Sequence, residues 1–388
     1  MAGHTKTAKE RGTIRTHVIH YLMFASSLGL GDDLLLDKPD SSFRRGQLTF
    51  ALYAEHLSTG NSVYCKRIRA ATVQKYLLDV SRFMRQFGPT ERDYCMKTPG
   101  GTEWSAELKA VYDANKKFED QGNRREAFTL DMLRELETSN SACGALPDDK
   151  SSALADWFQV GLYMGLRLSE WAQPTSSDPS SPDLNIRGDT QAFCLDDIRV
   201  QLTDGRRLQG ADILSVCVTR IRKMWIRLRT QKNGRNGEQK LFTASPKGGR
   251  DVVVPMYRIL ERFVRLRGKD DLTTPLAIYS LGTIASTGAP LVRTITSTDI
   301  EFQMRLLAAK VYHLHPVRNS EDLSKWSSHS LRVGACVILH SMGFSETQLK
   351  QILRWNSDSF MLYLRDIAVV ADEHVKAFDA ASCIPNFL

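Results

Sequence analysis

The sequence has little cysteine and no long hydrophobic segment, and each shortage excludes a class of protein. Its 7 cysteines are scattered through 388 residues, and no two of them form a CxxC pair. We therefore expect neither a zinc finger nor a disulfide framework, and this cysteine usage is typical of a reducing compartment. No stretch approaches the ~18 uninterrupted apolar residues that a membrane span requires.

Several signals for localisation, nucleotide binding and metal binding are also missing. No apolar segment follows the charged N-terminal residues, so we expect no secretory signal. Without a glycine-rich phosphate loop or a DxD-type carboxylate cluster, nucleotide-dependent and metal-dependent phosphoryl transfer have no support. The HxH pair His313 and His315 has no cysteine or carboxylate partner at ligand spacing. We therefore predict no metal site, no cofactor and no membrane partner.

Basic residues are in modest excess, and they are concentrated in two segments. The chain has 52 Lys and Arg against 44 Asp and Glu, for a net charge of +8 at pH 7. Between Arg44 and Arg92 there are nine basic and three acidic residues, and between Cys217 and Arg250 ten basic and one acidic. Two separated basic segments fit a clamp around a polyanion, and they fit two solvated protein faces equally well.

Hydrophobic periodicity predicts an α+β protein that is mostly helical and has one small antiparallel sheet. Strands are predicted at 198–202, 225–230 and 240–243, and the chain beyond residue 255 is predicted to be helical. The stretch 121–125 is polar and contains a glycine, which predicts a linker. The predicted domains are a helical domain at 1–122, a larger domain at 126–368 and a C-terminal tail at 369–388.

The clearest predicted helix, Ile68 to Phe87, carries basic residues at or beside it and largely off its apolar stripe. Cations on one side of a helix are suited to contacting a polyanion such as DNA. If the two basic segments form such a clamp, the residues that contact DNA from this segment are predicted to be Lys66, Arg67, Arg69, Lys75, Arg82 and Arg85. From the hairpin of the second basic segment they are predicted to be Arg229 and Arg235.

A cluster of reactive side chains is predicted near the C-terminus. A helix beginning at Ser330 is predicted to end at Gly343, and a capping box at Ser345 begins the next helix. Because tight turns join three short helices here, we expect four residues to lie close together: His329, Arg332, Trp355 and Tyr363. Taken singly, each is more often a surface pair or a packing residue, so the prediction depends on the whole set.

The segments around these residues resemble the motifs of tyrosine recombinases, the phage integrase family. The runs HSLRVGA and LRWNSDSFMLYLR resemble its C-terminal signature, GLYMGLRLSEW its first arginine motif, and RTQKNGRNGE its β-hairpin lysine motif. The hairpin and the RWxSDxFxxYLR pattern look like Crypton-type recombinases of eukaryotic mobile elements. The resemblance by motif covers about residues 129–367, and the basic helical domain matches the core-binding domain of that family by position and type.

This resemblance implies an N-terminal core-binding domain and a C-terminal catalytic domain. The implied function is that of a site-specific DNA recombinase or integrase, of a mobile element, acting through a 3′-phosphotyrosyl intermediate. Such cleavage needs a nucleophile, positive charge at the phosphate oxygens and an acid for the leaving oxygen. The implied roles are Tyr363 as nucleophile, Arg167, Arg332 and Trp355 as phosphate ligands, Lys232 as acid, His329 as proton acceptor or phosphate ligand, and Glu170 as the residue that orients the arginine or lysine.

The resemblance also implies partners and a location. These are double-stranded DNA and a homo-oligomer, a tetramer on two DNA sites, with residues 369–388 docking on a neighbour. The expected location is intracellular, and nuclear if the host is eukaryotic. Two other functions stay open: a type IB-like relaxing topoisomerase, and a DNA-binding protein descended from a recombinase that no longer cleaves.

Overall fold

The chain divides into two compact units, Met1–Gly122 and Asn123–Leu388. The computed structural model describes residues 8–30, 41–60, 68–84, 104–117, 125–173, 177–180, 182, 184, 190–231, 236–246, 249–355 and 360–364. Among these residues, no helix combines the length and the apolar character that crossing a membrane requires.

The first unit is helical throughout its described part. Its helices are α1 (Ala8–Ser27), α2 (Ser41–Thr59), α3 (Ala70–Met84) and α4 (Ala106–Lys117). On α3, Val73, Leu77 and Val80 recur at three- and four-residue steps and are fully buried against residues such as Tyr53 of α2. Each such side chain contributes about 1.5–3 kcal/mol on burial, so this stripe holds α3 in the unit and turns its opposite side to solvent.

The second unit combines helices with two antiparallel sheets. Its elements are α5 (Leu130–Cys143), α6 (Lys150–Met164), α7 (Leu168–Trp171), β1 (Ile198–Leu202), β2 (Arg207–Gln209), β3 (Ile221–Leu228), β4 (Glu238–Thr243), α8 (Val253–Arg267), β5 (Ile278–Thr283), β6 (Pro290–Thr294), α9 (Ser297–Val311), α10 (Ser320–Leu323), α11 (Ser330–Ser341), α12 (Glu346–Leu353) and α13 (Met361–Leu364). The larger sheet has the order β2-β1-β3-β4, and β5 pairs with β6 alone.

The predicted fold class, mostly helical with a small antiparallel sheet, is confirmed. Strand β1 has the predicted bounds, because Ile198, Val200 and Leu202 alternate with more exposed residues and point into the core. The prediction that the chain beyond residue 255 is helical is wrong, since it missed the β5–β6 hairpin. Only the first two residues of β5, Ile278 and Tyr279, are buried, so the hairpin shows no extended alternation of apolar and polar residues.

Helix α6 lies at the centre of the second unit and is buried on nearly all sides. It contacts α5, α8 and α11. The approach of α11 is close: a Cβ on Gly161 of α6 would lie 2.8 Å from Leu331 Cδ1. A Cβ on Gly334 of α11 would overlap the Phe128 carbonyl oxygen. Close backbone packing therefore fixes the start of α11 relative to the end of α6, which is where the candidate site lies.

Candidate active site

The end of α6 determines the position of Arg167. The helix is capped by Gly165, which adopts the left-handed conformation with φ 57° and donates its N–H to the Gly161 carbonyl. A Cβ on Gly165 would overlap the Leu353 side chain, so both the backbone conformation and the space favour glycine. Two residues later, Arg167 stands at the N-cap of α7.

Glu170 on α7 holds Arg167 through both its backbone and its side chain. The Arg167 backbone N–H donates to Glu170 Oε2 at 2.9 Å, and Arg167 Nη1 donates to Oε1 at 3.1 Å. The Glu170 side chain is 2% exposed, and the Arg167 side chain is 23% exposed. A second guanidinium, that of Arg354, donates from Nη2 to Glu170 Oε2 at 2.9 Å. One buried carboxylate therefore pairs with two arginines.

Arg332 lies in the first turn of α11 and is almost completely buried, with 1% exposure. Its Nη1 donates to the Gly165 carbonyl at 2.7 Å, and its Nη2 donates to the Leu353 carbonyl. Its Nε has no hydrogen-bond partner among the described residues. Burial, followed by the charges of Arg167 and Arg354, lowers the pKa of Arg332 to about 9. The group is therefore still cationic at pH 7, and no carboxylate in the described part of the chain is directly bonded to it.

His329 directly precedes α11, and its imidazole is near the guanidinium groups of three arginines. Burial, followed by the charges of Arg332, Arg125 and Arg167, lowers the pKa of His329 to about 4. The imidazole is consequently neutral at pH 7 and has a nitrogen that can accept a proton. The predicted proximity of His329 and Arg332 is present in the structure.

Trp355 joins the site through Arg332. The Arg332 guanidinium carbon lies 4.8 Å from the centre of the Trp355 ring, which is a cation–π contact. Trp355 also stacks on Phe360, with the ring centres 5.2 Å apart. Phe360 and Leu364 belong to a buried cluster with Cys336 of α11, so α13 packs onto the helix that carries Arg332.

Some predicted site residues lie outside what the structure describes. Tyr363 belongs to α13, but its side chain is outside the described part. The other predicted residues outside the described ranges are Lys66, Arg67, Arg85, Lys232 and Arg235. The strands that flank Lys232 form the expected antiparallel hairpin. At its base, Gln231 N donates to Asn236 Oδ1 at 2.7 Å, and Gln231 Nε2 donates to Glu238 Oε2 at 2.9 Å.

The described residues predicted to bind DNA fall into two groups. Arg69, Lys75 and Arg82 are exposed at or on α3, where they can contact a polyanion. Arg229 is different, because its Nε and Nη2 donate to Asp197 and Asp196 respectively. Its charge is balanced within the protein, and its contact with DNA stays a prediction.

Sequence reasoning missed Arg354, which is as deeply buried as the residues it contacts. An arginine at the end of a predicted helix, directly before Trp355, was the available signal. With Arg354, the described residues of the site include three guanidinium groups, those of Arg167, Arg332 and Arg354, and one carboxylate bonded to two of them, that of Glu170. These described side chains together carry net positive charge. Buried charge of one sign favours binding of the opposite sign. The described residues include no group of His, Cys, Asp or Glu suited to hold a metal ion.

Comparisons with known proteins give similar solved structures but no family. No protein-family model and no curated protein matches the chain. The chain is similar to the Tn1549 transposon integrase in complex with transposon right end DNA, with 13% identity, 98% of this chain and 96% of that chain covered, and a TM-score of 0.45. It is also similar to the XerH site-specific recombinase bound to a palindromic difH substrate, with 13% identity, coverages of 86% and 72%, and a TM-score of 0.42. For the XerA recombinase the identity is 13%, the coverages are 96% and 92%, and the TM-score is 0.34.

Proposed function

We propose that this protein is a site-specific DNA recombinase or integrase of a mobile element, which cleaves and rejoins DNA through a 3′-phosphotyrosyl intermediate. One observation carries the proposal. Arg167, His329 and Arg332, which are far apart in the chain, converge on one positively charged site whose central arginine is buried. These are the residues to which the tyrosine recombinase motifs assign phosphate binding and proton transfer.

The arrangement fits stabilisation of a phosphate in a transition state. Arg167 and Arg332 supply cationic donors for the non-bridging oxygens, on which negative charge develops during displacement. Arg332 is held by two backbone carbonyls, which fix the direction of its guanidinium group. Trp355, in contact with Arg332, is proposed to donate its indole N–H to the same phosphate.

The proposed reaction conserves the energy of the broken bond. The Tyr363 oxygen attacks phosphorus, and the bond between phosphorus and the 5′ oxygen breaks. His329, neutral at pH 7, accepts the tyrosine proton or binds the phosphate, and Lys232 gives a proton to the leaving 5′ oxygen. A free 5′-hydroxyl then reverses the reaction and releases the tyrosine, so rejoining requires no nucleotide. Double-stranded DNA is the substrate, and a tetramer on two sites is the proposed assembly.

The experiment that tests the proposed chemistry is capture of the covalent intermediate. Duplexes that bind the protein would be selected from a random library and then nicked next to each candidate cleavage position, so that the released fragment diffuses away. We expect a protein–DNA adduct that survives denaturation, with a phosphotyrosine at Tyr363 identified by mass spectrometry. Specific binding without any adduct would contradict the proposal and identify a DNA-binding protein that no longer cleaves.

A further inference from the structure

Two helices at the site end in the same backbone conformation but with different residues. Helix α6 ends at Gly165 with φ 57° and ψ 46°, and α12 ends at Arg354 with φ 58° and ψ 45°. Among the described residues other than glycine, only His313 and Arg354 have a positive φ. This conformation is strained for a residue with a Cβ. An arginine that keeps it at a buried site indicates that the side chain has a use there.

The Arg354 side chain reaches the residues that surround Arg167. It is buried, and its Nη2 lies 2.9 Å from Glu170 Oε2 and 3.5 Å from the Gly165 carbonyl oxygen. The preceding carbonyl, that of Leu353, accepts from Arg332. The end of α12 therefore contacts the site in two ways. The Leu353 carbonyl accepts from Arg332, and the Arg354 guanidinium donates to Glu170.

Glu170 transmits the effect of Arg354 to Arg167. The carboxylate uses Oε1 for the Arg167 side chain and Oε2 for both the Arg167 backbone N–H and Arg354. A carboxylate with both oxygens engaged cannot rotate without breaking a contact. The charge of Arg354 also offsets the cost of keeping Glu170 ionised at 2% exposure. The orientation of Arg167 thus depends on a residue to which the sequence analysis assigned no role.

We propose that Arg354 is a positioning residue that acts through Glu170 to orient the Arg167 guanidinium towards the scissile phosphate. The inference rests on the proposed function for the identity of that phosphate. Arg354 itself does not contact the phosphate in this proposal. A small displacement of a group that acts in a transition state costs up to about 10²-fold in rate, which sets the size of the expected effect.

The first test compares variants that differ in whether Glu170 is charged. Arg354→Gly removes the side chain and leaves a residue suited to φ 58°. We expect single-turnover cleavage to fall about 10- to 100-fold while affinity for duplex DNA changes less than about 3-fold. In a Glu170→Gln background no carboxylate is left to position, so adding Arg354→Gly should change the rate by less than about 3-fold.

The inference would be overturned if Arg354→Gly lowered the cleavage rate by the same factor in the wild-type and Glu170→Gln backgrounds. It would also be overturned if the cleavage rate of Arg354→Gly stayed within about 2-fold of wild type. Where the single glycine variant does not fold, the double variant Glu170→Gln with Arg354→Gly is compared with Glu170→Gln alone, because only the double variant removes both partners of the buried ion pair. Thermal melting of each variant establishes that it is folded at the assay temperature.

Chemical rescue separates positioning from a purely structural role. Millimolar guanidinium chloride, at constant ionic strength, should restore cleavage by Arg354→Gly at least about 5-fold, because the ion can occupy the vacated site beside Glu170. Sodium chloride should restore nothing. The matched control is Glu170→Gln with Arg354→Gly, in which guanidinium has no carboxylate to pair with. Equal effects of the two salts on Arg354→Gly would contradict the inference.

A last measurement distinguishes failure of this inference from failure of the proposed function. Binding of inorganic phosphate, followed by thermal shift, reports the anion site without any DNA cleavage. We expect Arg354→Gly to weaken phosphate binding, and by less than Arg167→Ala, which removes the donating guanidinium itself. If the wild-type chain forms no covalent adduct, the proposed function fails. The phosphate-binding measurements on the same variants still test whether Arg354 positions Arg167. Unchanged phosphate affinity in Arg354→Gly would then overturn the inference alone.

Discussion

The basic side chains of the two units differ in how they are held. In the second unit, Arg332 is 1% exposed and fixed by two carbonyls, and Arg167 is fixed by one carboxylate. In the first unit, Lys75 and Arg82 are exposed, two helical turns apart on α3; Arg82 has only a loose contact, 3.8 Å, with the Asp79 carboxylate. Fixed charges suit chemistry at one phosphate, and exposed ones suit contact with many phosphates.

The difference has an energetic basis. Burying the charged Arg332 guanidinium costs solvation free energy, and this burial lowers its pKa to about 9. A bound phosphate would offset that cost, and the offset is largest in the transition state, when the negative charge on the phosphate oxygens is greatest. An exposed lysine or arginine loses little hydration when it binds a phosphate, and each such contact contributes little binding free energy. We therefore expect changes in the second unit to alter rate, and changes on α3 to alter salt-dependent affinity.

The largest expected effect is that of Tyr363→Phe. Removing one hydroxyl leaves the charges of both units intact, so DNA binding should be unchanged within about 3-fold while the covalent adduct disappears. Denaturing gels with nicked duplexes measure the adduct, and filter binding measures affinity. A phosphotyrosyl adduct that persists in Tyr363→Phe would move the nucleophile to another residue.

The next effect concerns Arg167 and Arg332. Replacing either by alanine should lower single-turnover cleavage by about 10²–10³, the scale of one lost electrostatic donor. Arg82→Ala, which removes an exposed arginine of the first unit, is the matched control and should leave that rate unchanged. Because Arg332 is buried, Arg332→Lys is measured alongside to retain a cation. If the cleavage rate of Arg167→Ala stayed within a few-fold of wild type, the expectation that charges of the second unit control the rate would be wrong.

A smaller effect is expected in the pH dependence. The pKa of His329 is about 4, so the free protein keeps a neutral imidazole down to about pH 5, whereas an ordinary histidine would be about 90% protonated at pH 5.5. Cleavage at subsaturating DNA should therefore stay level from pH 8 to pH 5. A bound phosphate stabilises imidazolium, so any acid limb should shift upwards at saturating DNA.

The check is the pH profile of wild type beside those of His329→Gln and His340→Gln, the latter on the same helix. An acid limb centred near pH 6.5 at subsaturating DNA, present in wild type and in His340→Gln but absent in His329→Gln, would give His329 an ordinary pKa. It would also show that the guanidinium cluster does not act on this imidazole.

The smallest effect on rate is expected for Lys75→Ala combined with Arg82→Ala. Each lost phosphate contact should lower the slope of log affinity against log salt by about 0.9, equally on specific and random duplexes. Cleavage at saturating DNA should not change. Titrations at several salt concentrations measure the slope, with Lys109→Ala combined with Lys116→Ala on α4 as a charge-matched comparison. An unchanged slope on both duplexes would mean that α3 does not face DNA.

Local signals predicted much of the fold because they depend on residues a few positions apart. Thr129 accepts from the Met132 N–H at the start of α5, as its position before an apolar run predicts. Ser345 and Gln348 form the predicted capping box of α12, with Ser345 N donating to Gln348 Oε1 at 2.8 Å. Both contacts span three residues, so the sequence contains all that is needed to predict them.

The sequence by itself determined the helical periodicities, the caps and the order of the motifs that contain Arg167, His329 and Arg332. The tertiary structure alone decided that Glu170 holds Arg167 and Arg354 together, and that Asp196 and Asp197 balance Arg229. The physical reason is that burial and charge compensation are set by contacts such as that between Arg354 and Glu170, whose partners are 184 residues apart. No local pattern encodes which carboxylate a distant arginine will meet once both have left water.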